Sequence, residues 1–172
     1  DIVFVNVQAG LSENAVWNAI GVPYILGPNL YDLSVDADMT LNPGVTLQFS
    51  NDSGIEIGSL GSLNAVGTGT GASERILFTG VSAEADYWRG IYFFNSNDSK
   101  NRLEYCTIEY TGSSYYSYTN STIFAVALAS NGNAMQAVIT DCIIAETAQN
   151  GIWIDSNAVP NSDIETANTF TN

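Results

Sequence analysis

Carboxylates are the most abundant reactive side chains in this sequence. Asp and Glu number 18 against 4 Lys and Arg, and histidine is absent. Hydrolysis of a sugar bond with inversion would need two carboxylates roughly 6.5–9.5 Å apart across a groove. Asp86, Glu104, Glu109 and Asp141 are available, yet no spacing singles out a pair. Hard oxygen ligands cluster at Asp36-Ala37-Asp38, Asn51-Asp52-Ser53, Asn95 to Asp98 and Asp155-Ser156-Asn157. Calcium is the cofactor such sets would take, which makes Asp36, Asp38, Asp52, Asp98 and Asp155 the candidate metal residues. The competing reading is that Asn, Asp and Ser make tight turns by bonding their own backbone, and neither an EF-hand loop nor a nonapeptide calcium repeat occurs. Cys106 and Cys142 have no basic surroundings to lower their pKa, so they read as inert thiols rather than nucleophiles.

Composition removes whole classes of chemistry. The formal charge is −14 and the basic residues are Arg75, Arg89, Lys100 and Arg102 alone. Nucleic acid and anionic membranes require clustered Lys and Arg, so neither is an expected partner. Without histidine there is no Ser-His-Asp or Cys-His arrangement, no histidine zinc site and no histidine base. Two cysteines build neither a disulfide framework nor a Cys-only zinc site. No apolar run approaches the roughly 20 residues of a membrane span. At 45% hydrophobic residues the chain can bury a core, and only 13% are charged. Its polar surface must be Asn, Ser, Thr, Gly and Tyr, which points to an extracellular or cell-surface protein. A start at Asp1 without Met or signal peptide suggests a processed or excised segment.

The elements that position these residues are strands. Only Ser12 to Ala19 reads as a short helix, with Ser12 as N-cap. Elsewhere β-branched and aromatic segments alternate with Gly, Asn, Asp and Ser clusters: Val45–Phe49, Ile55–Ile57, Ile76–Phe78, Ile91–Phe94, Ile123–Leu128, Val138–Ile144 and Ile152–Ile154. An internal repeat decides against a β-sandwich. Gly54-Ile55-Glu56-Ile57, Gly90-Ile91-Tyr92-Phe93 and Gly151-Ile152-Trp153-Ile154 match, with Ala125-Val126-Ala127-Leu128 between the last two. From Ile91 to Val126 is 35 residues and from Val126 to Ile152 is 26. Cys106, Cys142 and Asn168 step by 36 and 26, and Leu103, Val138 and Ile164 by 35 and 26. Three columns thus share one register, as turns of a coil do when each buries its apolar positions against its neighbours. The longer steps come from an insertion around Thr111–Thr122. The reading is an all-β, parallel β-helix (solenoid) of roughly five turns over 33–172, preceded by a strand and short capping helix over 1–32.

The run Trp88-Arg89-Gly90-Ile91-Tyr92-Phe93, with Asn101-Arg102-Leu103-Glu104-Tyr105-Cys106-Thr107-Ile108-Glu109-Tyr110-Thr111-Gly112, resembles the right-handed parallel β-helices of the pectate-lyase-like superfamily. Leu41 to Phe49, Gly61 to Thr68 and Ile76 to Gly80 fit the same pattern, so the resemblance covers about Leu33 to Asn172. It implies a right-handed coil and a secreted, surface-associated bacterial setting. It does not fix function, because this fold carries lyases, hydrolases, adhesins and purely structural regions. The Asn-x-Asp, Asp-Asp and Gly-His-Gly set of the family's galacturonan hydrolases is missing here. In such coils stacked cysteines are packing features, so Cys106 and Cys142 are expected to form a structural thiol ladder, with a disulfide the alternative.

Inward positions have outward neighbours. Ile91, Phe93, Val126, Leu128, Ile152 and Ile154 are expected in the core, as are Leu103, Cys106, Ile108, Val138, Cys142, Ile144, Ile164 and Phe170. Tyr92, Ala127 and Trp153 then form an outer column, and the insertion adds Tyr115, Tyr116 and Tyr118 beside it. Aromatic rings on a rigid sheet stack on sugar faces at modest entropic cost. Tyr92, Trp153, Tyr115, Tyr116 and Tyr118 are therefore the candidate ligand residues, with a glycan or cell-surface polymer as partner. The competing reading is that the insertion folds over Trp153 and shields it. Three functions follow: a non-catalytic binding module, a structural subunit that associates with itself through open coil ends and the Asp1–Val7 strand, and a fragment of a polysaccharide lyase or hydrolase.

Overall fold

A computed structural model describes residues 10–26, 32–116, 119 and 122–171, and the backbone of 3–5. Among the described residues there is no helix. The chain begins with β1 (Val3–Val5), β2 (Ala15–Trp17), β3 (Tyr24–Leu26), β4 (Asp32–Val35) and β5 (Asp38–Leu41). It continues with β6 (Thr46–Phe49), β7 (Gly54–Ile57), β8 (Ser62–Val66), β9 (Ile76–Gly80), β10 (Gly90–Phe94) and β11 (Arg102–Glu104). Then come β12 (Cys106–Glu109), β13 (Phe124–Ala129), β14 (Met135–Thr140), β15 (Ile143–Ala145), β16 (Asn150–Ile154), β17 (Ala158–Pro160) and β18 (Thr169–Thr171).

From β3 onward, successive strands join three sheets in strict rotation. The seven-stranded sheet is ordered β1-β3-β6-β9-β12-β15-β18, the five-stranded sheet β4-β7-β10-β13-β16, and the six-stranded sheet β2-β5-β8-β11-β14-β17. Every pairing is parallel and in register. Parallel neighbours lie about 4.8 Å apart, so identical positions of consecutive circuits stack directly.

Alternation along each strand sends one set of side chains into a shared core. Ile55, Ile91, Val126 and Ile152 stand on adjacent strands, as the repeat required. Leu47, Phe78, Ile108, Ile144 and Phe170 form the matching column of the seven-stranded sheet. Trp88 is fully buried and stacks on Phe49 with centroids 4.1 Å apart, while its indole N–H donates to Glu109 O at 2.7 Å. Each such large apolar side chain contributes about 1.5–3 kcal/mol by leaving water.

Corners are closed by backbone twists and amide side chains. Tyr105 and Asp141 occupy equivalent positions with φ of 49° and 54°. Asn101, 1% exposed, accepts from Leu63 N and donates to Ser96 O, Ser96 Oγ and Gln136 O, tying consecutive circuits together.

Several expectations are corrected. Ser12 to Ala19 holds β2 rather than a helix, because Ala15 and Trp17 pair with Met39 and Leu41 of β5. β2 and β3 therefore stand in the same sheets as β5 and β6. Of Asp1–Val7, Val3–Val5 pairs in register with β3, and the rest lies outside the described residues. The run Val138–Ile144 is two strands in different sheets, since the chain turns at Asp141. Leu103 pairs with Ile139, not Val138, so Ile139 takes the core position and Val138 faces out. Ile154 and Phe170, on the last circuit, are 40% and 46% exposed.

Candidate functional site

The five-stranded sheet carries the chemistry on its outer side. One column runs Ser34, Glu56, Tyr92, Ala127 and Trp153, all in register. Around it the insertion after Thr111 forms a strap. Tyr116 lies flat on Tyr92 with centroids 4.3 Å apart, and Phe124 and Phe94 flank the pair. Tyr92 is 1% and Tyr116 3% exposed. These two rings are not the open platform expected of them. A second apolar cluster of Tyr92, Tyr116, Phe124, Ala127 and Ala129 has formed outside the sheet, with Phe94 and Trp153 packed half-buried against it. Tyr115 stays exposed, and Tyr118 lies outside the described residues.

A polar clasp fixes the strap. Arg89 donates to Asp32 Oδ2 at 2.5 Å and to Tyr115 O at 2.9 Å, and its guanidinium sits 3.9 Å above the Tyr116 ring. The Tyr116 hydroxyl donates to Asp32 Oδ1 at 2.8 Å. Asp52 Oδ1 accepts from the Ser113 and Ser114 hydroxyls at the strap's start. Glycine permits this approach: a Cβ on Gly54 would collide with the Tyr116 hydroxyl and lie 2.8 Å from Asp32 Oδ1. Gly90 has φ of 111°, and a Cβ there would stand 2.6 Å from Ala125 O.

Burial pushes the Asp32 carboxyl above its ordinary pKa, with Arg89 and the Tyr116 hydroxyl pulling the other way. Burial also raises Glu56, and the neighbouring Asp32 charge adds to that rise. The Tyr116 phenol is driven well up by burial. Asp32 and Glu56 sit diagonally on adjacent strands, about 8 Å apart at the backbone. Both Asp32 oxygens already hold the clasp, which leaves that carboxylate structural rather than poised for proton transfer.

The aspartates of the calcium expectation do not converge. Lys100 lies between Asp38 and Asp98, at 2.7 and 3.8 Å, and occupies the place a cation would take. Hydrogen bonding from Lys100 holds Asp38 below its usual value and raises Lys100 in turn. Asp36 accepts from the Ser34 hydroxyl, Asp52 serves the strap, and Asp155 caps its own turn through Asn157 N. Among the described residues no three His, Cys, Asp or Glu side chains gather as a metal site.

Cys106 and Cys142 are buried free thiols at equivalent positions of adjacent circuits. Their S–H groups donate to carbonyls of the preceding circuit, Ala65 O at 3.4 Å and Leu103 O at 3.3 Å. Burial pushes the Cys106 thiol well up, and contact with Cys142 adds to it. Asn168 continues the column, accepting from Cys142 N.

Asp32, Arg89 and Glu56 were not singled out by sequence. The available signal was β13 itself: Phe124-Ala-Val-Ala-Leu-Ala129 is apolar throughout, the mark of a strand covered on both faces. Comparison with known proteins assigns no family, since no family model, no curated protein and no solved structure matches the chain.

Proposed function

We propose that the chain is a right-handed parallel β-helix of the pectate-lyase-like type and acts as a non-catalytic, extracellular or cell-surface module that binds a glycan or similar surface polymer. The rotation of strands through three parallel sheets supports the fold. The observation that carries the function is the aromatic seam on the five-stranded sheet. Its inner rings are sealed, but Trp153 packs half-buried against them and still meets solvent, and Tyr115, next to Tyr116 in the chain, is exposed. A flat ring held on a rigid sheet loses little entropy on stacking against a sugar. The net charge of −14 argues against uronate polymers and for neutral ones. Both Asp32 oxygens are held by the clasp, which argues against their use in proton transfer.

The test is a glycan array probed with wild type, Trp153→Ala and Tyr115→Ala. Wild type binds, and each variant loses at least about ten-fold in affinity, near 1.4 kcal/mol, with a thermal midpoint within a few degrees. A wild type that binds no glycan removes this reading. The structural-subunit reading then takes its place.

A further inference from the structure

Two Asn-Gly pairs occur in the sequence, Asn131-Gly132 and Asn150-Gly151, and the fold treats them oppositely. Asparagine is a labile residue, and a following glycine exposes it to attack by its own chain, because no Cβ obstructs the glycine nitrogen. Both asparagines are exposed, so access to water does not separate them. What separates them is the freedom of the backbone to close a ring.

Asn150-Gly151 opens β16 and is held in place. Asn150 pairs with Phe124 of β13, and its Nδ2 donates to Ile123 O at 2.8 Å. Gly151 is covered by the Phe170 ring, from which a Cβ would stand 2.6 Å away. Bringing the Gly151 nitrogen onto the Asn150 side chain requires rotation about the asparagine Cα–C bond away from its strand value, and the ladder opposes that rotation. Asn131-Gly132 lies instead in the exposed corner between β13 and β14. Gly132 has φ of 104°, and a Cβ there would meet no heavy atom within 4 Å. Its N–H donates to Ser130 Oγ at 3.1 Å, inside the same turn rather than to a sheet carbonyl. Asn131 Oδ1 accepts from Asn133 Nδ2 at 3.3 Å, a long bond between two exposed side chains.

We propose that Asn131 is a site of spontaneous covalent modification, deamidating in the folded protein to aspartate and isoaspartate, while the strand protects Asn150. The Gly132 nitrogen gives up its proton to solvent and attacks Asn131 Cγ. The Cγ–Nδ2 bond breaks, ammonia leaves, and a succinimide closes. Water then opens the ring at either carbonyl. Breaking the bond from Cγ to the nitrogen gives aspartate, and breaking the bond from the backbone carbonyl carbon to the nitrogen gives isoaspartate, whose chain runs through Cγ. Amide and water become carboxylate and ammonium, so no oxidant or cofactor enters. Either product adds one negative charge, and isoaspartate also lengthens the corner by a methylene. The fold tolerates the change at this place. Asn131 N, bound to Asn95 Oδ1 at 3.0 Å, precedes the reacting bonds, and β13 and β14 keep their own partners. The reaction needs no enzyme, so the altered fraction records how long the protein has stood folded.

The experiment stores the full chain, native and urea-unfolded, at about pH 6 and about pH 8 and follows its chymotryptic peptides over time. Deamidation adds one mass unit to a peptide, and chromatography separates the isoaspartyl form. In the native protein the peptide holding Asn131 converts at least ~10-fold faster than the peptide holding Asn150, which must first leave its strand. In urea the two rates converge. Native conversion of Asn131 rises at least ~10-fold from the lower pH to the higher, because the attacking nitrogen must lose its proton. Asn131→Gln, whose longer side chain has a larger ring to close, removes the acidic form that accumulates in wild type and keeps the thermal midpoint. An Asn131 that stays intact in the native protein, an Asn150 that converts as fast, or a rate indifferent to pH overturns the proposal. An acidic form that accumulates undiminished in Asn131→Gln assigns the reaction to another residue and equally overturns it.

Discussion

Arg89→Met tests whether the clasp is what holds the strap. The substitution keeps most of the aliphatic stem and deletes the guanidinium that bonds Asp32 and Tyr115 O and covers the Tyr116 ring. Removing one partner of a buried ion pair costs about 3–5 kcal/mol while the survivor stays charged. Here both side chains keep 16% of their surface in water, and Asp32 retains the Tyr116 hydroxyl. The lower end applies, about 3 kcal/mol at pH near 8. The loss also depends on pH. Burial already holds Asp32 above its ordinary pKa and Arg89 opposes that rise, so in the variant the carboxyl moves higher still. A carboxyl whose folded pKa exceeds its unfolded one takes up its proton more readily in the native state. Native stability then falls as pH rises through that window and recovers below it. Urea unfolding followed by tryptophan fluorescence should show a deficit that shrinks as the pH is lowered from about 8 towards 5. Adding Asp32→Asn keeps an acceptor for the Tyr116 hydroxyl and removes the stranded charge, so Arg89→Met/Asp32→Asn should be more stable than Arg89→Met at the higher pH. An equal deficit at both pH values, or no rescue by Asp32→Asn, refutes the reasoning.

Other consequences follow from single side chains. Asn101→Leu strands Leu63 N and removes the amide that donates to Ser96 and to Gln136 O, and should cost about 3 kcal/mol or more by urea titration. Cys106 and Cys142 should ignore a water-soluble thiol reagent in the native protein and release two equivalents once unfolded, a disulfide giving none. Glu56→Gln should stabilise by up to about 1 kcal/mol near pH 8, because burial and Asp32 disfavour the ionised form. That advantage should vanish as the pH falls and Glu56 itself takes up a proton, which parallel melts of the two proteins would show.

Much of the coil was legible in sequence because stacking enforces a register that local noise does not hide. Ile55, Ile91, Val126 and Ile152 had to coincide if turns stack, and they do. The first circuit was misread for a physical reason. Ala15, Val16 and Trp17 follow Ser12, which reads as a helix N-cap, and their strand state is supplied by Met39 and Leu41 across the sheet, contacts that local sequence cannot show. The slip at Val138 has a similar origin: adjacent Val138 and Ile139 are equally apolar, and only pairing with Leu103 separates them. At the site, the outward direction of Tyr92 and Trp153 followed from period two, but outward did not mean exposed. What covers Tyr92 is decided by Asp32, 57 residues before its partner Arg89 and 84 before Tyr116. No spacing rule links residues that far apart.

The strap explains why the five-stranded sheet is polar at one end and aromatic at the other. Lengthening a corner loop costs little closure entropy, so a coil can add ten residues at one circuit without disturbing the stack. Among the strap's described residues Tyr116 buries its ring against the sheet, which offsets the entropy of ordering it. Ala127 and Ala129 are small enough on the outer side of β13 to leave room for the Tyr116 and Tyr92 rings, and Gly54 leaves room for the Tyr116 hydroxyl. The strap thus belongs to the circuits of β7, β10 and β13, and its cover thins toward β16. Trp153 is half-exposed because it lies at that thinning edge, one strand beyond Ala127. A ring packed on one side and wet on the other is held in place and remains accessible, and both conditions must be met for it to stack on a ligand.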